Sequence, residues 1–113
     1  MAREEHRHIA FVEGDAHDIV RRFRSPTTLF VAMNVLGNLD PREVQMFFDG
    51  ITSAVTFVAR GKLLGDPEPR GTAVGWDHNY ADLLKGWELL ELQATPTPKF
   101  PEREAIVATA YRP

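Results

Sequence analysis

The stretch DPREVQMFFDGITSAVTFVARG, residues 40–61, decides how the chain is read. Asp40 suits a helix N-cap, its carboxylate accepting from the backbone N–H of Glu43, which reaches back to complete a capping box. Pro41 falls at the first helical position, where its missing N–H costs nothing. Leu39 and Val44 have the spacing of a hydrophobic staple. Gly61 offers a left-handed stop, and Arg60 and Lys62 suit the negative end of a helix dipole. These signals predict one helix from Pro41 to Arg60. On its wheel Val44, Phe47, Phe48, Ile51, Val55 and Val58 form an apolar stripe. Met46, Gly50, Ser53 and Phe57 form a second stripe with the spacing of a packing seam. Such a helix lies at the centre of a domain or meets another copy, so these four are candidate oligomer-interface residues.

Working upstream, Ser25 and Pro26 read as a cap and a first turn, and Pro26–Leu36 as a helix apolar on almost every side. Gly37 would end it, and the short link to Asp40 predicts an antiparallel helix pair. Before it, Asp15 is placed to cap a helix over Ala16–Phe23, and Ile9–Val12 has the length and character of a strand. Residues 1–7 form a polar tail.

Downstream, residues 61–79 are punctuated by glycine and proline and read as a long loop. Tyr80–Leu92 reads as a helix, although Trp87–Leu92 also fits a strand. Prolines restrict residues 95–101 to an extended strap. Ala105–Tyr111 reads as a strand on its β-branched and aromatic content, and could pair with Ile9–Val12. The expected fold is a single α+β domain over residues 1–113, mostly helical and built on the central helix pair.

The 113 residues are enough for one modest core, and 43% hydrophobic with 26% charged residues is an ordinary globular balance. A net charge of −3 gives no basic excess for a general nucleic-acid binder or an anionic membrane surface. Without cysteine there is no disulfide framework, thiolate nucleophile or Cys-based zinc site. The charged N-terminus lacks a signal-peptide run, and no stretch approaches a membrane span. The expected setting is cytoplasmic.

Four groups of residues carry candidate chemistry. Trp76-Asp77-His78-Asn79-Tyr80 concentrates an acid, an imidazole, an amide and a phenol. His78 could move a proton near neutral pH with Asp77 raising its basicity, and Trp76 and Tyr80 could touch a ligand. The competing reading is a helix start, with Asp77 or Asn79 as cap and the aromatics packed. Arg21, Arg24 and Ser25 combine cations with an expected helix N-terminus, a possible anion site or simply a charged helix end. Asn34, inside an apolar run, needs a hydrogen-bond partner if buried and could line a ligand cavity. His6 and His8 share one side of a strand, but His17 and His78 have no spacing that would complete a metal site, so none is expected.

Gly71-Thr-Ala-Val-Gly75 lacks the ending of a nucleotide P-loop, and no cofactor motif is present. The helix pair superficially suggests a DNA-binding hairpin, but Met46-Phe47-Phe48 leaves no polar reading face. The reading leans away from an enzyme. It favours a small interaction protein that self-associates, as a dimer, through apolar helical surfaces. The alternative is a small-molecule-binding protein or cofactor-independent acid–base enzyme, with its pocket between the helix pair and the Gly61–Tyr80 segment.

Overall fold

The computed structural model describes residues 14–63, 65–69, 75–97 and 103–113. In chain order these form α1 (Ala16–Arg22), β1 (Leu29–Met33), a 3-10 turn (Leu36–Asn38), α2 (Pro41–Gly50), β2 (Ala54–Lys62), β3 (Glu68–Pro69), β4 (Trp76–Asn79), α3 (Tyr80–Leu83), β5 (Glu88–Pro96) and β6 (Glu104–Tyr111). A six-stranded mixed sheet dominates, with short helices attached to it. The mostly helical fold and its central helix pair are therefore corrected.

The start of the decisive stretch behaves as its residues require. Asp40 Oδ1 accepts from Glu43 N at 2.8 Å, and Glu43 Oε1 accepts from Asp40 N at 3.1 Å. The helix stops at Gly50 rather than Arg60, and a three-residue link leads into β2. The reason lies in Val55, Thr56, Phe57 and Val58, whose branched and aromatic side chains favour a pleated surface. Burial alternates along β2, with Val55, Phe57, Ala59 and Gly61 inward. That period of two belongs to a strand.

Pro26–Leu36 is corrected in the same way. Its apolar run is the strand β1, which pairs in parallel with β2 from Leu29↔Ala54 to Met33↔Val58. Strands of parallel sheets read as near-continuous hydrophobic runs, and over so short a segment this looks like an enclosed helix. Helix Tyr80–Leu92 reduces to α3, after which Gly86 with φ of 82° turns the chain into β5. The loop 61–79 contributes Gly61 and Lys62 to β2 and also contains β3 and β4. Thr95 and Pro96 of the expected strap extend β5. The predicted strand Ile9–Val12 and its pairing, the tail 1–7 and residues 98–101 of the strap lie outside the described residues. The first helix spans Ala16–Arg22, and Asp15 makes no side-chain cap bond to it.

β2 is the axis of the sheet. One edge pairs antiparallel with β6 from Ala54↔Tyr111 to Gly61↔Glu104, and β6 pairs antiparallel with β5. The other edge is shared end to end: β1 takes Ala54–Val58 and β4 takes Gly61–Lys62, both in parallel. The helices α1 and α2 cover one face. Phe48, Ile51, Val55, Phe57, Ile106 and Ala108 are fully buried there. Phe48 packs edge-on against Phe47, Phe57 and Trp87. Arg112 lies over the Trp87 ring at 4.3 Å and donates to Ile51 O and Phe48 O, closing the end of α2. On the opposite face Leu29, Val31 and Met33 of β1 are 55%, 61% and 57% exposed.

Candidate functional site

The shared edge of β2 opens a gap. β1 leaves β2 at Met33↔Val58, and β4 joins it at Gly61↔His78, so Ala59 and Arg60 fall between the two ladders. A cleft of about 250 Å³ opens there, lined by Asn34, Gly37, Asn38, Ala59 and Arg60. It lies at the carboxyl end of β1 and towards that of β2. In open sheets with parallel strands, ligands bind in crevices at strand carboxyl ends.

Asn34 forms the cleft's corner. Its backbone is left-handed, with φ of 58°, while its N–H donates to Val58 O at 2.7 Å. That bond continues the parallel ladder as the chain turns out of the sheet. Strained non-glycine positions of this kind persist where surrounding structure over-determines them, often at binding sites. The side-chain amides of Asn34 and Asn38 offer donors and acceptors, and the Arg60 guanidinium adds a fork of N–H donors.

The Trp76–Tyr80 group is divided by the strand that carries it. Neighbouring residues on a strand point to opposite faces, and the contacts of Asp77 and His78 run to different elements. Asp77 Oδ2 lies 2.6 Å from Arg103 Nε, tying β4 to the start of β6. His78 is fully buried, and its Nε2 lies 2.8 Å from Leu39 O and 3.2 Å from Leu36 O. Asn79 caps α3, accepting from Asp82 N at 3.1 Å, and donates to Gly65 O at 2.7 Å. Tyr80 is fully buried against Phe57, with ring centres 5.0 Å apart, and Trp76 is half-buried. Of the proposed ligand contacts, Asn34 reaches the cleft wall; Trp76 and Tyr80 do not line it.

The other candidates are placed differently. Ser25 precedes a turn rather than a helix, its Oγ accepting from Thr27 N at 3.2 Å, so the expected helix dipole is missing. Arg24 Nε donates to Gly50 O at the end of α2, and Arg21 is exposed on α1. The four interface candidates no longer share a helix. Phe57 is in the core, Ser53 is buried in the link before β2, and Gly50 faces Val20 of α1. Met46 is half-buried. His6 and His8 lie outside the described residues, His17 lies in α1, and among the described residues no three His, Asp or Glu side chains converge. Sequence reasoning missed Gly37, Asn38, Ala59 and Arg60. A usable signal was Asn34 followed by Gly37-Asn38, which suits a strand turning sharply at its end.

No protein-family model matches the chain, and no curated protein does. Its fold does have a counterpart among solved small-molecule methyltransferases. The chain is similar, at 14% identity and a TM-score of 0.61, to the Burkholderia thailandensis 1,6-didemethyltoxoflavin-N1-methyltransferase solved with 1,6-didemethyltoxoflavin and S-adenosylhomocysteine bound. The match covers 98% of this chain and 54% of that one, so the chain spans about half the length of its structural neighbour. At this identity the likeness is one of fold. Among the described residues, no helix is long and apolar enough to cross a membrane.

Proposed function

We propose that this chain supplies part of a small-molecule site of the methyltransferase type, centred on the cleft at the carboxyl ends of β1 and β2. One observation carries the reading: a left-handed asparagine stands at the mouth of a polar cleft where two parallel strands diverge. In this reading Asn34 and Asn38 orient a small polar ligand, and Arg60 binds its electron-rich edge. The fold likeness supports methyl transfer as the reaction class, with a sulfonium donor as methyl source, because the neighbour holds S-adenosylhomocysteine. Such chemistry asks the protein chiefly to hold donor and acceptor in line. No acid–base step by His78 or Asp77 enters this proposal; Asp77 meets Arg103 and His78 meets the 36–39 turn.

Calorimetric titration with S-adenosylhomocysteine tests the reading. Binding should weaken about tenfold in Asn34→Gly and in Arg60→Ala, as expected for about one lost hydrogen bond to a ligand. Glycine is the informative replacement at 34 because it removes the amide without straining the backbone. Absence of binding, or affinity unchanged in both variants, would refute the assignment.

The exposed apolar row of β1 favours a second reading, self-association. Leu29-Phe-Val-Ala-Met carries no charge or proline to discourage edge pairing, and β1 has no further ladder partner among the described residues. This differs from association through helical faces, whose residues the fold has separated or buried.

A further inference from the structure

Two of the described residues lining the cleft, Gly37 and Asn38, sit on a turn that is weakly held by itself. The turn is a single 3-10 unit whose own bonds are Asn38 N to Val35 O and Leu39 N to Leu36 O, both 3.1 Å. Short 3-10 segments have poor hydrogen-bond geometry and lean on their surroundings. Leu36 anchors the turn in the core, and the turn's carbonyls are met by a side chain of β4. His78 Nε2 approaches the carbonyls of Leu36 and Leu39, which bracket Gly37 and Asn38. A carbonyl can only accept, so Nε2 carries the proton and donates.

We propose that His78 is the positioning residue of the cleft: it fixes the 36–39 turn from below and so sets where Asn38 faces the ligand. The functional meaning of this role rests on the small-molecule reading given above. Several features keep the imidazole in place. His78 pairs with Gly61 in the sheet, the Tyr80 ring stands edge-on to it at 6.0 Å, and no solvent reaches it. The strand alternation that separates His78 from Asp77 is what sends the imidazole towards the turn. A buried histidine thus connects β4 with the turn that follows β1.

The test compares His78→Leu, His78→Asn and His78→Gln with a control core variant, Ile106→Val. Glutamine carries an N–H donor at about the reach of Nε2; asparagine is too short and leucine has none. The readouts are amide hydrogen exchange at Asn38 and Leu39, affinity for S-adenosylhomocysteine, and the thermal midpoint. Exchange at the turn should rise at least tenfold in the leucine and asparagine variants, and affinity should fall at least tenfold. The glutamine variant should stay within about threefold of the parent on both. Ile106→Val should lower the midpoint with the affinity unchanged. If leucine prevents folding, the asparagine–glutamine pair carries the test. Turn exchange no faster than that of α2 and β2 in the asparagine variant, or an affinity loss in Ile106→Val equal to that at His78, would overturn the proposal. A parent protein that binds no S-adenosylhomocysteine while its turn loosens selectively would instead sink the ligand reading and leave the pinning by His78 standing.

Discussion

Asn34 holds a φ of 58°, a region that costs most L-residues about 1–2 kcal/mol and that asparagine tolerates better than others. Its sequence context marks it as a polar residue in an apolar run, needing a partner if buried and able to line a cavity. The structure places it at the end of a strand, exposed on the cleft wall. Replacement by alanine should lower the free energy of unfolding by about 1–2 kcal/mol, because a Cβ without a compensating amide stays in the left-handed region. Glycine should stay within about 1 kcal/mol of the parent, since relief of strain offsets the greater freedom of its unfolded chain. Urea denaturation of the two variants measures both. Equal losses would show that the backbone at 34 is not the source of the cost.

At the scale of elements, the first turn of α2 was fully legible and its end was not. A capping box is local chemistry, contained within Asp40–Glu43. Asp40→Ala should therefore cost about 0.5–2 kcal/mol, measured by thermal or chemical denaturation. The end of the helix depends on tertiary pairing that no local residue announces. Val55 and Val58 continue the helical stripe only by coincidence, because β2 carries apolar residues at either parity. Gly61 shows the same limit. It reads as a helix stop, but it lies inside β2, where a Cβ would come 2.5 Å from Tyr80 Cε2 and 2.7 Å from His78 O. Gly61→Ala should cost about 1–3 kcal/mol as an overpacking change. It should also loosen the cleft turn through His78, an effect visible as faster amide exchange at Leu39.

For the whole molecule, two of the sheet's edge strands, β5 and β1, differ in kind. β5 carries Glu88, Glu91 and Pro96 and a register irregularity between Leu89 and Glu91, the usual devices that discourage further pairing. β1 has none of these, and its row of Leu29, Val31 and Met33 stands on an uncovered face. Parallel strands usually have both faces covered. Association at high concentration should therefore run through β1, and Val31→Lys should suppress it without lowering the thermal midpoint. Sedimentation velocity over a dilution series would show this; association that persists in Val31→Lys would place the contact elsewhere. Sheet order was the least legible property, because the partners of β2 come from residues 29–33, 76–79 and 104–111. The cleft depends on that order, so its lining could not be assembled from spacing alone.

The central claim is that a small molecule binds where β1 and β4 divide the edge of β2. The most direct measurement is an amide NMR titration of the chain with S-adenosylhomocysteine. Saturable shifts should concentrate at Asn34, Gly37, Asn38, Ala59 and Arg60, with the outer face of β1 unaffected. Shifts absent at millimolar ligand, or gathered on Leu29, Val31 and Met33 instead, would contradict it.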